Sequence, residues 1–279
     1  MTVYVSAALR DQYPDIYKTI WSTLLGKGIG CNEINSNNLW ARDYMPIKTG
    51  SCYTKFKYKR NPKYPWLEVN SDCWQFVNAM VSYIYLDGGN VVQDDDVVIM
   101  TEQVFNNNPS ISRVDLTQFL KDRFEKKIIF IPVEPGDTLG HSDGIVKLLN
   151  KSNNKTAIIN DHHNQTFGEY SRKLETILNN NGIECIRMPF AYKDTPRMTE
   201  IEFRNRYPLA DDYEPGFGYY INWYQVDDVI FYPTFGLPKD DDALLFMIKH
   251  FPGYNVIPVD CRDLSMLGGL LNCITYEVE

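Results

Sequence analysis

Short runs rich in isoleucine and valine recur along the chain, separated by turns and by longer stretches of helical character. Apolar runs of four to seven residues with many β-branched side chains are typical of buried strands. On this pattern we predict six strands, over residues 97–100, 127–133, 156–160, 184–189, 229–233 and 255–259.

The stretches between these runs predict four helices, over residues 11–25, 114–124, 170–181 and 240–251. Two of the helices carry end signals. Asn180, Asn181 and Gly182 form a stop for the third helix, because glycine readily takes the left-handed backbone that closes a helix. A run of aspartates that starts at Asp240 suits the positive N-terminal end of the fourth helix.

Strands and helices alternate along the whole chain, and no linker rich in proline, glycine and serine divides it. We therefore predict one α/β domain that spans residues 1–279. The spacing of the elements suggests units of about 50 residues, which suits either a doubly wound sheet or a radial arrangement of small sheets. The sequence lacks the glycine-rich motifs that bind nucleotide phosphates.

Composition narrows the class of protein further. A chain of 279 residues with 44% hydrophobic content can bury a large core. Its formal net charge of −8 argues against nucleic acid as a partner, because phosphate binding needs clustered lysine and arginine. The clearest basic cluster, Lys55–Lys63, is interleaved with aromatic residues, and we interpret it as an edge strand with an exposed charged face.

No segment is long and apolar enough to span a bilayer, and the first residues lack the pattern of a secretion signal. We therefore expect no membrane partner and a cytoplasmic location. The six cysteines are scattered without the close spacing of zinc ligands, so we predict free, buried thiols. The segment Asp161–His163 follows a predicted strand, and we interpret it as a loop, not as a metal site.

The end of the chain carries the first candidate for chemistry. The segment Leu267–Glu277 has paired glycines and has apolar residues on both sides of Cys273. This pattern indicates a buried segment in which the backbone turns sharply. A buried cysteine is a candidate nucleophile, provided that bases and carboxylates reach it from elsewhere in the chain.

Two earlier segments supply carboxylates. In Leu39–Ile47, Arg42 and Asp43 lie between a tryptophan and a proline, and alone they favour an ion pair at the end of a strand. In Tyr83–Val92, Asp87 opens the sequence Asp-Gly-Gly-Asn, which alone favours a hairpin turn.

A third segment, Gly136–Leu148, supplies a histidine. If a strand starts at Gly140, His141 and Asp143 lie two residues apart and project from the same face into one cavity. A lone histidine usually has a structural role. For a histidine and an aspartate on one strand face beside glycines, a functional site and a structural role are equally favoured.

Taken in order, these segments resemble a known family. Trp-x-Arg-Asp-x-x-Pro is followed by Asp-Gly-Gly-Asn, then by Gly-His-x-Asp-Gly, and finally by Gly-Gly-x-x-Asn-Cys-x-Thr. From Asn38 to the C-terminus the chain resembles the agmatine deiminase and bacterial peptidylarginine deiminase family. The segments Tyr220–Trp223 and Tyr232–Gly236 resemble that family's later motifs. The resemblance implies the guanidino-modifying superfamily, whose fold is a five-bladed α/β propeller.

The resemblance also implies a role for each candidate. Cys273 would be the nucleophile, His141 the general acid and base, and Asp87 the acid that orients the histidine. Asp43 and Asp143 would hold the planar, cationic guanidinium by hydrogen bonds. No metal or organic cofactor is implied.

The implied reaction is hydrolysis of a guanidino group to a ureido product and ammonia, through a covalent thiouronium intermediate on the cysteine. The substrate would be a small cationic guanidino compound such as agmatine, or an arginine side chain in a peptide. Trp40 and Asn222, together with Trp223 and Glu214, are candidates for contacts with the substrate beyond its guanidinium group.

The chain departs from the family pattern at four positions. Asp87 stands where glutamate is common, which shortens the reach to the histidine, and Asn272 stands where a histidine commonly precedes the cysteine. Leu270 and Leu271 replace smaller residues. Two other functions stay open: an amidinotransferase that passes the amidino group to an amine, and a binding protein that keeps the acidic clamp without turnover.

Overall fold

The computed structural model of the protein describes residues 1–59, 68–151, 154–162, 167–191 and 216–278 of the chain. The strands in these residues are β1 Thr2–Ser6, β2 Gly30–Ile34, β3 Ile47–Thr49, β4 Cys52–Lys57, β5 Ala79–Tyr85, β6 Val92–Gln93, β7 Val97–Thr101, β8 Lys127–Ile131, β9 Val146–Lys151, β10 Asn154–Asn160, β11 Glu184–Met188, β12 Tyr224–Val226, β13 Val229–Thr234, β14 Asn255–Asp260 and β15 Thr275–Val278. The helices are α1 Ala7–Gln12, α2 Pro14–Gly26, α3 Ala41–Tyr44, α4 Gln103–Asn107, α5 Arg113–Phe124, α6 Gly168–Asn180, α7 Lys239–His250 and α8 Arg262–Ser265.

The described strands form five sheets of three strands each, in the orders β15-β1-β2, β3-β4-β5, β6-β7-β8, β11-β10-β9 and β12-β13-β14. In every one of these sheets the middle strand is antiparallel to one neighbour and parallel to the other. Parallel neighbours need a long crossover. In four of the sheets this crossover contains a helix, namely α2, α5, α6 or α7.

The two ends of the chain share the first sheet. β15 pairs antiparallel with β1, so that Val278 lies opposite Thr2 and Thr275 lies opposite Val5. The residues just before β15 are buried as well, with Leu271 and Ile274 fully inaccessible. The prediction of a buried segment around Cys273 is therefore confirmed.

The described residues group into two compact units. One unit is drawn from Met1–Arg42, Arg60–Phe76 and Pro189–Glu279, and the other from Asp43–Lys59 and Val77–Met188. The sheets β15-β1-β2 and β12-β13-β14 belong to the first unit, and the other three sheets belong to the second. A single domain over residues 1–279 stays a prediction.

Helix α5 illustrates how a helix packs on the sheets of the second unit. Leu116, Leu120 and Phe124 repeat at intervals of four, which places them on one helix face, and all three are fully buried. They share one core with Phe56 of β4 and Met100 of β7. Burial of each large side chain stabilises the fold by about 2 kcal/mol. This core therefore ties α5 to two neighbouring sheets.

The six predicted strands correspond to β7, β8, β10, β11, β13 and β14, and the four predicted helices to α2, α5, α6 and α7. The end signals are also confirmed, because Gly182 has a φ of 78° after α6 and Asp240 lies in the first turn of α7. The first helix differs from its prediction. It is split at Tyr13, and Pro14 starts α2, because proline fits a first helical turn but not a helix interior.

Two local predictions were wrong. β4 is the middle strand of its sheet, not an edge, and the Lys55 ammonium donates to the Tyr44 carbonyl at 2.7 Å. The part of the basic cluster beyond Lys59 lies outside the described residues. Asp-Gly-Gly-Asn is not a hairpin turn either, because β5 and β6 belong to different sheets and Gly88–Asn90 forms a 3₁₀ turn between them.

The predictions about the cysteines and about membrane-spanning segments can also be compared with the structure. All six cysteines are free thiols, as predicted, but only half of them are buried as predicted: Cys73, Cys261 and Cys273 are buried, and Cys31, Cys52 and Cys185 are partly exposed. Of the helices that the structure describes, none is both long and apolar enough to cross a membrane.

Candidate active site

His141 lies between two buried carboxylates in the second unit. Its Nδ1 atom is 3.6 Å from Oδ1 of Asp43, and its Nε2 atom is 3.3 Å from Oδ2 of Asp87. Asp143, two residues along the chain, is 5% exposed, and its charge acts on both His141 and Asp43. The structure thus gathers one imidazole and three carboxylates, all predicted from the sequence as site residues, into one buried cluster.

The members of this cluster lie in or beside short helical turns and strand ends. Asp43 lies in the short helix α3, Asp87 follows β5, and His141 directly precedes a 3₁₀ turn over Ser142–Gly144. The predicted strand from Gly140 was wrong, because Gly140 has a φ of 66° and β9 starts only at Val146. His141 and Asp143 therefore reach the cluster through a turn and not through strand alternation.

Asp87 reaches the histidine in spite of its short side chain. One of its oxygens lies 3.3 Å from the imidazole, and the other accepts the backbone N–H of Lys59 at 3.0 Å. A contact of 3.3 Å is at the long end for a hydrogen bond between nitrogen and oxygen. The shorter aspartate side chain therefore still contacts the imidazole.

Burial and charge set the protonation of this cluster. Burial raises the pKa of Asp43 to about 7, and the charges of Asp87 and Asp143 add to this rise against the opposing influence of His141. Burial alone would lower the pKa of His141, but the carboxylates of Asp43, Asp87 and Asp143 outweigh it and raise that pKa to about 10. The imidazole therefore holds its proton at neutral pH.

Gly89 is a part of the site that the sequence analysis missed. Its N–H donates to Oδ1 of Asp43 at 3.1 Å. A Cβ atom at this position would lie 2.6 Å from both Oδ1 of Asp43 and Nδ1 of His141, which is closer than real Cβ atoms approach such atoms. The second glycine of Asp-Gly-Gly-Asn is the only sequence signal for this close approach.

The segment Leu267–Glu277 around Cys273, called the cysteine segment below, lies in the first unit. Cys273 is buried just before β15, and its Sγ atom lies 3.5 Å from Oδ1 of Asn222. The same Oδ1 accepts the backbone N–H of Asn272 at 3.1 Å. Asn222, predicted to contact the substrate, is thus placed by the structure against the cysteine segment.

Arg42 fixes the same segment from its other side. Its backbone N–H donates to the Cys273 carbonyl at 3.0 Å, and its Nε donates to the Asn272 carbonyl at 3.4 Å. Its guanidinium pairs with Glu277 at 3.4 Å. The alternative of a simple Arg42–Asp43 ion pair at a strand end was therefore wrong, because Arg42 lies in a helix and pairs with Glu277.

Trp40 also packs against the cysteine segment. A Cβ atom on Gly269 would lie 2.4 Å from the Trp40 ring, so only glycine lets the backbone approach the indole this closely. Trp223 is a core residue whose ring meets Phe251 edge to face, with centroids 5.5 Å apart. Glu214 lies outside the described residues.

His162 is part of a buried region next to β10. His162 follows β10 in a loop, as predicted, is buried, and stacks on Phe167 with ring centroids 4.9 Å apart. His163 lies outside the described residues. Within the described ranges, no group of three or more His, Cys, Asp and Glu side chains is arranged to hold a metal ion.

Comparison with known proteins identifies the family to which the chain belongs. The sequence profile of Porphyromonas-type peptidyl-arginine deiminases matches residues 2–278. The chain belongs to this family. A putative agmatine deiminase of Marinomonas sp. is 24% identical in an alignment 291 positions long, which covers 88% of this chain and 75% of that protein. The agmatine deiminase of Pseudomonas putida is 24% identical in an alignment 207 positions long, which covers 69% of this chain and 56% of that enzyme. The chain thus matches little more than half the length of some family relatives.

Solved structures extend the comparison to the whole chain. The agmatine deiminase of Enterococcus faecalis matches with a TM-score of 0.74 and 16% identity, over 99% of this chain and 92% of that one. An amidinotransferase from Microseira wollei matches with a TM-score of 0.60 and 13% identity, over 95% and 79% of the two chains. These likenesses show the fold. They confirm the predicted fold, an α/β protein with a five-bladed propeller.

Substitution of Gly89 by alanine tests how closely the carboxylate and the imidazole are packed. We expect Gly89→Ala to lower the free energy of unfolding by about 1–3 kcal/mol, because the new methyl group must displace Asp43 or His141 in a buried site. Urea denaturation measures this change.

The matched control is Gly144→Ala, since a Cβ at Gly144 meets no atom within 4 Å. It should leave the unfolding free energy within about 0.5 kcal/mol of the wild-type value. Equal stability of the two variants would contradict the close packing.

The raised pKa values of Asp43 and His141 predict a stability that falls as pH rises. The folded protein keeps a proton on Asp43 from pH 3.8 to about 7 and on His141 from pH 6.5 to about 10, where the unfolded chain has released it. Because the folded state binds more protons, its unfolding free energy declines by at most about 1.4 kcal/mol per pH unit and per group.

Urea denaturation between pH 4 and pH 10 should show a shallower decline for the double variant Asp43→Asn/His141→Gln than for the wild type. The double variant Asp241→Asn/His250→Gln, on helix α7, removes the same two residue types elsewhere and should keep the wild-type slope. A wild-type slope in the first variant would contradict the proposed protonation.

Proposed function

We propose that the protein is a cysteine-dependent hydrolase that converts a guanidino group into a ureido group and releases ammonia. The observation that carries this proposal is the buried cluster in which Asp43, Asp87 and Asp143 surround the His141 imidazole. Three acidic side chains around one imidazole give this cluster an excess of acidic groups, which suits a cationic ligand. Membership of the peptidyl-arginine deiminase family supports the choice of a guanidinium as that cation.

Asp43 and Asp143 are proposed to bind the guanidinium in its plane. A guanidinium presents its N–H groups in a rigid fork, which matches the oxygens of a carboxylate. The positive charge makes the central carbon a poor electrophile as long as it is delocalised over three nitrogens. Carboxylates that hold the cation in one orientation present this carbon to a nucleophile and offset the cost of burying its charge.

Cys273 is proposed to form the covalent intermediate. Its thiolate attacks the guanidinium carbon, and the His141 imidazolium donates its proton to the nitrogen that leaves. The carbon–nitrogen bond breaks, ammonia departs, and an S-alkylthiouronium cation stays on the sulfur. The raised pKa of His141, about 10, keeps the imidazole protonated for this step at neutral pH.

Water completes the reaction in the second half. The neutral His141 takes a proton from water, and the resulting hydroxide attacks the thiouronium carbon. The carbon–sulfur bond then breaks, and the Cys273 thiolate leaves with the electron pair. The hydroxyl proton of the adduct passes to solvent, so that a neutral ureido product is released and His141 stays an imidazolium. Asp87 is proposed to keep the imidazole in one orientation through both halves, by its 3.3 Å contact with Nε2.

The surroundings of Cys273 support its role as the nucleophile. Asn222 and Arg42 bind the backbone on both sides of its sulfur. A segment held by so many polar contacts is fixed in one geometry, which a covalent catalyst needs.

The proposed substrate is a guanidino compound with a free, positively charged guanidinium group. The names of the relatives offer two forms of it, because some are agmatine deiminases and the family itself is named for peptidyl-arginine. We propose the whole chain, residues 1–279, as one catalytic domain for this reaction.

A substrate panel tests the proposed function. Agmatine, arginine and an arginine-containing peptide are incubated with the protein, and ammonia and ureido product are measured together. We expect equal amounts of the two products from at least one compound. Cys273→Ala should lower the rate by at least about 1,000-fold, because covalent catalysis is lost.

The matched control is Cys261→Ala, which removes another buried thiol of the same unit. It should retain the wild-type rate per folded molecule. Full activity of Cys273→Ala would overturn the mechanism. Amidino transfer to added glycine, without ammonia, would point to a transferase instead, and binding of the compounds without turnover would point to a binding protein.

A further inference from the structure

Asp137 accepts three successive backbone N–H groups of the segment that leads to His141. One carboxylate oxygen accepts from Leu139 at 2.8 Å and from Gly140 at 2.9 Å, and the other accepts from His141 itself at 3.2 Å. Its own N–H donates to the Glu134 carbonyl at 3.0 Å. The carboxylate thus fixes the backbone on which the imidazole is mounted.

Two further contacts make this backbone path specific. The Thr101 hydroxyl donates to the Gly140 carbonyl in a short hydrogen bond. Gly140 has a φ of 66°, and a Cβ atom there would lie 2.7 Å from the Gln103 side chain. Only glycine fits at this position. The backbone of residues 139–141 therefore has few alternative conformations once Asp137 binds its N–H groups.

We propose that Asp137 is the positioning residue of His141, and that its carboxylate holds the imidazole between Asp43 and Asp87 through the backbone of residues 139–141. This proposal rests on the proposed function, because it treats His141 as the acid and base of that reaction. Asp137 is not assigned a contact with substrate.

Charge is the second part of the inference. His141 is faced by the carboxylates of Asp43, Asp87 and Asp143, and Asp137 adds a fourth negative charge that favours the imidazolium. Burial raises the pKa of Asp137, while the N–H groups of Gly140 and Leu139 and the charge of His141 oppose that rise. Glu134 is the other acidic neighbour of Asp137. The Asp137 carboxyl group is therefore a further acidic neighbour of His141, in addition to the hydrogen bonds that it accepts from residues 139–141.

An asparagine cannot reproduce this arrangement. Its single carbonyl oxygen can keep the N–H groups of Leu139 and Gly140, but its NH₂ group then points at the N–H of His141, and two donors repel. The flipped amide keeps the His141 bond and loses the other two. Asp137→Asn therefore removes one or two hydrogen bonds and one negative charge, with hardly any change in volume.

The kinetic test compares Asp137→Asn with the wild type on the best compound of the panel. We expect kcat to fall about 100-fold, the size expected for misplacement of a catalytic group by about 1 Å, while KM changes less than threefold. Asp137→Glu keeps the charge but displaces the acceptor oxygens, so it should also lower kcat. A wild-type kcat in Asp137→Asn would overturn the proposal.

The second test is independent of any substrate. The chain has four histidines, so the imidazole signals in a spectrum of ¹³C-histidine-labelled protein are few, and His141→Gln identifies the signal of His141. We expect the pKa of His141 to be lower in Asp137→Asn than in the wild type and to stay near the wild-type value in Asp137→Glu. An unchanged titration in Asp137→Asn would overturn the proposal, whatever the kinetics show.

Asp94→Asn is the matched control. Asp94 lies in the same unit and also accepts successive backbone N–H groups, those of Asp96 at 2.9 Å and Val97 at 2.8 Å, but none from residues 139–141. It should change neither kcat nor the His141 titration.

If the wild type turns over no guanidino compound and Asp137→Asn still shifts the His141 titration, the proposed function fails and the positioning role stands. If Asp137→Asn does not fold, Asp137→Glu decides by its kcat.

Discussion

The burial of an imidazole among carboxylates is the interaction on which the candidate site depends. Asp43, Asp87 and His141 are all nearly inaccessible to water, where an unpaired charge would cost several kcal/mol. The charges compensate one another, and backbone N–H groups supply the remaining donors: Gly89 binds Asp43 and Lys59 binds Asp87. Glycine is required at position 89 because a side chain there would overlap the Asp43 carboxylate and the His141 imidazole.

The architecture explains how such a cluster can be assembled from distant parts of a sequence. Each described sheet has only three short strands, one antiparallel and one parallel pair. The chain therefore leaves a strand for a turn or a crossover at many points along the sequence. Asp87, His141 and Asp143 all stand in or beside such turns. In the other unit, pairing of β15 with β1 places Cys273 on a segment that is buried and held by Asn222 and Arg42. Regular elements provide the core, and the chemistry lies where they end.

Much of this could be predicted from the sequence. The strands rich in isoleucine and valine and the capped helices follow from local pattern, and the site residues follow from the order of four motifs. The errors have physical reasons. Asp-Gly-Gly-Asn has the composition of a hairpin turn, yet the strands beside it belong to different sheets, which only tertiary pairing decides. The close approach at Gly89 and the three N–H bonds of Asp137 depend on contacts between segments, or on backbone angles, that residue types do not reveal.

The central claim is that Cys273 and a guanidinium carbon form a covalent bond during turnover. Acid quenching of the protein during turnover, followed by peptide mass spectrometry, tests this claim most directly. The account predicts that the peptide containing Cys273 gains the mass of the substrate minus that of ammonia, and that the other cysteine peptides do not. The gain should disappear once the substrate is consumed. Turnover to ureido product with no adduct on Cys273 at any quench time, or with an adduct on a different cysteine, would contradict the account.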